Sequence, residues 1–348
     1  MDVRLSAEQQ ALREAAAQLV DDHAPQSVAA LDDTARTARL EAAVAGSGWR
    51  ELRVPDDGDR PLASAVETAI VAEEFGRGPA DTSFLGPTLA TELRRRAAAG
   101  PATAHETVLL RPDLSGLVVV EDADTFCTGV AVDARGATSA LALARAGSGY
   151  DLVSVAVTGT SQGRDLTRPA TMVERGPFQR PDGAGRRPLT GEDIEAWSAF
   201  TLALTCADLV GTMRGAVNLA RSYAGIRHQY GVAIGTFQSV QHMLADAFVS
   251  IEGSSSVTRH AAWAVDALPP GEALAAAATA KAYCARAARD VCETVIQVHG
   301  GIGMTWEYLA HVHLRRALLS TQVLGDVGAN LARVVAHRKI GGVHDGLR

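Results

Sequence analysis

Aromatic residues make up only 5% of this 348-residue sequence, yet 47% of it is hydrophobic, which is enough to build two or three packed units. Positive charge is also in short supply. A net charge of −7 and a pI near 5.8 argue against a nucleic-acid-binding surface, whose phosphate contacts need clustered lysine and arginine. The one basic run, Arg94, Arg95 and Arg96, reads as a solvated helix end just ahead of Gly100. Only four cysteines occur, Cys127, Cys206, Cys284 and Cys292, and none stands in a CxxC pair, so reduced, buried thiols and a cytoplasmic location are expected. Long apolar runs are missing as well. No stretch approaches the ~20 residues that span a bilayer, and charges interrupt the N-terminal MDVRLSAEQQALREAAAQLV, so neither an export signal nor a membrane contact is expected.

The sequence does carry a change of rhythm. Ser6 and Gln9 have capping-box spacing, and SAVETAIVAEEFGR repeats apolar residues every three or four positions, predicting an N-terminal helical domain over residues 1–100. Short β-prone runs such as GLVVVED and LVSVAVTG follow, separated by Gly, Asp, Ser and Pro, and predict a small β domain over 101–188. Within it, Gly147 to Gly149 reads as the turn of a hairpin. The Pro- and Gly-rich RGPFQRPDGAGRRP reads as a linker. Beyond it, Val240, Leu244, Ala247 and Ile251 step by four, three and four, and Cys284, Ala288, Val291, Val295 and Val298 by four, three, four and three, predicting a helical bundle over 189–348.

Residues 227–242, RHQYGVAIGTFQSVQH, break the Ala-rich pattern with a cation, several amides and two glycines, a composition suited to holding something polar. Weaker patterns compete with it. Gly159 to Gly163 match G-x-S-x-G literally, but RDLTRP is a poor helix start and a loop is the better reading. His311 and His313 stand two apart, do not share a helix face and lack a third ligand, so no metal is expected. The small-residue run Gly253 to Ser256 reads as close helix packing.

Helices, then strands, then a bundle ending in QVHGGIGMTWEY resemble the acyl-CoA dehydrogenase family along nearly the whole chain, most specifically from Cys206 to Arg316. The Arg, aromatic-Gly and downstream Gln segment of that family stands here as Arg227, Tyr230-Gly231 and Gln238, and its Gln-x-x-Gly-Gly-x-Gly segment as Gln297, Gly300, Gly301 and Gly303. The resemblance implies an α+β, mainly α fold: an N-terminal helical domain, a small β-barrel-like middle domain and a C-terminal four-helix bundle. It also implies FAD, with Arg227, Tyr230, Gln238, Gln297, Gly300 and Gly301 reaching its pyrophosphate and adenosine end across a subunit interface. The residue chemistry suits that task. Arginine stays charged and forks onto phosphate oxygens. Glutamine both donates and accepts, and a glycine pair leaves the backbone open to a ligand.

In the resembled family a glutamate takes the α-proton of an acyl-CoA thioester while a hydride leaves the β-carbon for the flavin. Counted without gaps from Gln297, the commonest position of that glutamate falls on Leu324; counted back from Gly231, the alternative position falls on Thr201. Neither is a base, so no catalytic residue is assigned. Asp208, Glu307 and Asp326 lie off both positions and read as solvated, capping or interface acids. The Thr-Glu-x-x-x-Gly-Ser-Asp-like segment that touches the flavin ring in the family is also absent between Pro101 and Pro188. The resemblance is therefore to the short, base-less subunit of actinobacterial heteromeric acyl-CoA dehydrogenases. It implies a hetero-oligomer with a paralogous subunit carrying the glutamate, acting on an acyl-CoA thioester such as a degraded steroid side chain. Two alternatives remain: an autonomous flavoenzyme with a relocated base, and a flavin-free scaffold or regulator of the same fold.

Overall fold

The structure, a computed structural model, describes residues 4–339 apart from 57, 59, 103–104, 122–127, 159–162, 174–176, 184 and 186. Cys127 and all of the Gly159 to Gly163 pattern except Gly163 lie outside the described residues. Four helices come first, α1 (Ala7–His23), α2 (Thr34–Ser47), α3 (Ala65–Arg77) and α4 (Leu85–Arg96). Six short strands follow, β1 (Glu106–Leu110), β2 (Val119–Val120), β3 (Gly129–Ala131), β4 (Ser139–Ala146), β5 (Gly149–Ala156) and β6 (Thr171–Val173). The remainder is α5 (Gly191–Ile226), β7 (His228–Gln229), β8 (Val232–Ala233), α6 (Gln238–Ala267), α7 (Pro270–His299), α8 (Ala310–Gln322) and α9 (Val327–Arg338).

Local chemistry fixes several of these boundaries. Ser6 and Gln9 close a capping box on α1, and Thr190 and Asp193 close another on α5, each satisfying backbone N–H groups that a helix start leaves without partners. Pro270 opens α7 where its missing N–H costs nothing. The strands form one six-stranded sheet in the order β2-β4-β1-β3-β6, with β5 on the other edge of β4. β1 and β2 pair in parallel with successive parts of β4. β5 runs antiparallel to β4 in register Ala146↔Gly149, so the hairpin turns on Gly147 and Ser148, with Gly147 at φ 59°.

The bundle core is largely alanine, and small residues let its helices approach closely. A Cβ on Gly211 of α5 would lie 1.8 Å from the Glu73 carbonyl oxygen of α3, and one on Gly76 would lie 2.3 Å from that of Asp208. Gly253 likewise lies against the Tyr283 hydroxyl. Cys284, Ala288, Val291, Val295 and Val298 all face the core, as do Ala247 and Ile251 on α6. Contrary to the reading that no apolar run is long enough to span a bilayer, α5 is long and apolar enough to do so, but 94% of the qualifying window is buried inside the fold, as in a core helix.

The run Arg94 to Arg96 departs from the expectation of a solvated helix end. Arg94 is 4% exposed and forks onto Glu106 at the start of β1. Arg95 and Arg96 both pair with Glu92, one helical turn back and fully buried. Arg53 joins the same carboxylate from the loop before α3, which holds the pKa of Glu92 near 2 against the opposing effect of burial. Arg94 therefore ties α4 to β1, while Arg95 and Arg96 pair within α4 and share their carboxylate with Arg53.

Candidate functional site

α5 and α7 finish at the same end of the bundle. Tyr223, in the last turn of α5, stacks on His299, the last residue of α7, with ring centres 4.7 Å apart and planes 19° from parallel. This contact brings the two unusual segments, 74 positions apart from Arg227 to Gly301, to one end of the fold. Arg227 caps α5, its N–H donating to the Tyr223 carbonyl at 2.9 Å. β7 and β8 then form a two-residue hairpin turning on Tyr230 and Gly231, both left-handed at φ 53° and 82°. That is the type I′ geometry that matches strand twist. The Ile234 N–H donates back to the Arg227 carbonyl at 2.8 Å, closing the loop before α6 begins at Gln238. At the other segment Gly300 ends α7 at φ 64° and ψ −146°, a region essentially reserved for glycine.

The six residues assigned to a cofactor by resemblance, Arg227, Tyr230, Gln238, Gln297, Gly300 and Gly301, are all exposed. Tyr230 is 95% exposed, extreme for an aromatic side chain. Arg227 forms no ion pair and no side-chain hydrogen bond among the described residues, so a pairing with a surface acid does not account for it. A Cβ placed on Gly301 would meet nothing within 4 Å, and Gly301 has no left-handed φ. Nothing inside the chain explains that glycine, whereas a ligand lying close against the backbone would. An unpartnered cation, two amides and bare backbone at one end of a bundle suit an elongated anion such as a dinucleotide pyrophosphate. The residues present fit the pyrophosphate and adenosine end of FAD.

The two positions that the resemblance assigns to a base look inward instead. Leu324 is 2% exposed and lies between α8 and α9 at φ 53°. Its N–H donates to the Leu114 carbonyl of the β1–β2 loop at 2.8 Å, and its carbonyl accepts from Arg333. The turn is also held by Lys281 of α7, which is fully buried and donates to the Val323 carbonyl at 2.5 Å. Burial lowers the Lys281 pKa to about 8. Thr201 is fully buried, its hydroxyl donating to the Trp197 carbonyl at 2.9 Å.

The other acids are accounted for. Asp326 caps α9 through the Ala329 N–H, and Glu307 is exposed. Asp208 is fully buried, contrary to its reading as a solvated, capping or interface acid. It pairs with Arg168 at 2.9 Å and with Arg316 at 2.6 Å, and it accepts from Ser320. Burial alone would raise its pKa, but the two guanidiniums bring it below the ordinary value, so it is a fixed anion tying α5 to α8 and to the segment ahead of β6.

Sequence reasoning missed the aromatic cluster at this end of the bundle. Tyr223 and His299 are joined by Tyr308, 5.7 Å and 5.6 Å from them in edge-on contacts. The available signals were positional: Tyr223 stands one helical turn before Arg227, and His299 directly precedes Gly300.

Comparison with known proteins bears on the whole chain. Residues 6–96 match the family model described as acyl-CoA dehydrogenase, N-terminal domain, and residues 201–337 match acyl-CoA dehydrogenase, C-terminal domain. Acyl-CoA dehydrogenase IpdE2 of Mycobacterium tuberculosis is 31% identical over 332 residues, covering 91% of this chain and 93% of that protein. Among solved structures, the Tcur3481–Tcur3483 steroid ACAD G363A variant superposes with a TM-score of 0.78 at 23% identity, covering 96% of this chain and 98% of the other. The ChsE4–ChsE5 complex from Mycobacterium tuberculosis gives 0.77 at 19%, covering 98% and 99%.

Proposed function

This chain belongs to the acyl-CoA dehydrogenase family, and we propose that it is the base-less subunit of a heteromeric, flavin-dependent acyl-CoA dehydrogenase of the cytoplasm. One contrast carries the reading: both family base positions, Leu324 and Thr201, are buried side chains incapable of taking a proton, while all six residues toward FAD face solvent. A partner subunit supplies the glutamate and the cradle for the flavin ring. This chain supplies Arg227 to the pyrophosphate, Gln238 and Gln297 to the ribose and adenine edges, and open backbone at Gly300 and Gly301. When bound, flavin supplies the acceptor for the hydride that leaves the acyl β-carbon. The two-chain names of the structural neighbours, one of them a steroid ACAD, support a heteromer acting on a bulky CoA thioester.

The test is the FAD-to-protein ratio of this chain purified alone, and co-purified with its partner, with and without Arg227→Ala. The chain alone should be nearly colourless and should not oxidise acyl-CoA. The co-purified complex should be yellow, and Arg227→Ala should deplete its FAD while leaving the two chains associated. Losing a charge-assisted contact costs about 1.5–3 kcal/mol of binding, roughly ten- to hundred-fold in affinity. An unchanged ratio, or reduction of a flavin-loaded chain by acyl-CoA without a partner, would refute the reading.

A further inference from the structure

His299 is 4% exposed, and its ring is held on several sides. Nδ1 lies 2.8 Å from the Val295 carbonyl, which can only accept, so Nδ1 carries the proton. In the neutral ring Nε2 is then a bare acceptor, and it is buried without a partner. Burial lowers the pKa of the imidazole and so favours this neutral form. A buried acceptor with no donor is unfavourable, so the value of this side chain lies in its faces. One face stacks on Tyr223, and Tyr308 meets the ring edge-on. The three rings come from the end of α5, the end of α7 and the segment entering α8. The covalent neighbours matter most: Arg227 hangs from Tyr223 through a backbone hydrogen bond, and Gly300 follows His299 directly.

We infer that the Tyr223–His299–Tyr308 cluster is a positioning element that locks the Arg227–Gln238 segment to the Gln297–Gly301 segment, so that both present to one dinucleotide in a fixed relation. The inference rests on the flavin reading for its ligand, but not for the coupling itself. Arg227 and Gly301 lie on separate elements, and preorganising them lowers the cost of ordering on binding. The α5–α7 interface sets the spacing of the two helices along their length, and the stacked pair pins their last turns, from which both segments emerge.

Two measurements test this. Hydrogen exchange on the isolated chain reads the coupling without any ligand. His299→Ala should speed exchange at 298–304 and also across the hairpin at 228–237, which His299 does not adjoin in sequence. FAD titration of the apo complex with its partner should show a two- to ten-fold weaker affinity, the range an aromatic pair supports. His299→Phe keeps the ring and discards the unpartnered nitrogen, so it should restore both readouts. Tyr308→Leu, a half-buried position on the far side of the cluster, repeats the test if His299→Ala does not fold. Faster exchange confined to 298–304 with unchanged FAD affinity would overturn the inference, as would failure of His299→Phe to rescue. Arg227→Ala is the separating arm. If it leaves FAD affinity unchanged the flavin reading fails, and the exchange pattern still decides the coupling.

Discussion

Lys281 gives the sharpest quantitative test of how the turn at Leu324 is held. It is one of two lysines in the sequence and is fully buried, with the Val323 carbonyl its hydrogen-bond partner among the described residues. Burial, opposed in part by the neighbouring Cys206, lowers its pKa from 10.5 to about 8. The folded value is the lower one, so between pH 8 and 10.5 the unfolded chain binds more protons. Stability on this account is lowest below pH 8 and rises with pH through that window. At about 1.4 kcal/mol per unit of pH, the full penalty below pH 8 is about 3 kcal/mol. Lys281→Met removes it but leaves the Val323 carbonyl without a donor, at a cost of about 1–3 kcal/mol. The variant should therefore be unchanged or more stable by up to about 2 kcal/mol at pH 7. The decisive measurement is urea unfolding of both proteins at pH 7.5 and 9.5. Other groups titrate in both, whereas the wild type alone should show an additional gain of about 2 kcal/mol over that interval. The same pH dependence in both proteins would mean that this amine does not titrate in the window, and the argument from its burial would be wrong.

Two further outcomes follow from buried groups. Leu324→Glu should not give the isolated chain acyl-CoA oxidation, because a carboxyl added at a 2% exposed site still lacks a placed flavin ring, and the lost apolar burial should cost about 1.5–3 kcal/mol. Acyl-CoA-dependent dye reduction checks this, and turnover would show that the chain builds a complete site. Burial, with Arg316 beside it, lowers the pKa of His313 from 6.5 to about 3, so the stability tied to its neutral form is lost as pH falls below 6.5. By pH 5 that loss should reach about 2 kcal/mol, and His313→Leu should unfold with a correspondingly shallower acid dependence.

The parts of the fold legible in the sequence are those written in short-range chemistry. Ser6 with Gln9 reads as a helix start because both partners of the capping box lie within one turn, and the structure forms that box. The Gly147–Ser148 turn reads from its glycine and the flanking β-prone runs. The run Arg94 to Arg96 misleads for the complementary reason. Whether an arginine is solvated or stapled depends on carboxylates brought by folding, and Arg94 finds Glu106 on a different element. Asp208 misleads in the same way, since Arg316 is 108 positions away and Arg168 is 40 positions back.

The site divides along the same line. Arg227, Tyr230-Gly231, Gln238 and the glycine pair are local patterns, although only the glycine of the Tyr-Gly turn favours the left-handed backbone that both residues adopt. The aromatic cluster beside them depends on Tyr223 meeting His299 across 76 positions, which no local pattern encodes. The closed state of the base position is equally non-local, because the Leu324 N–H reaches the Leu114 carbonyl on the β domain. The sequence shows leucine and threonine at the two positions that the resemblance assigns to a base, but not whether either position opens into a cavity. Here the turn is bonded to the β domain on one side and to Lys281 on the other, and the leucine side chain joins the core. Replacing the base would therefore also require opening the packing around it. The outward residues face no such barrier: Arg227 has no acid to leave, and Gly301 has no side chain to move. On physical grounds the exposed residues can meet a ligand without rearrangement, whereas a carboxylate at Leu324 could not be placed without opening the core.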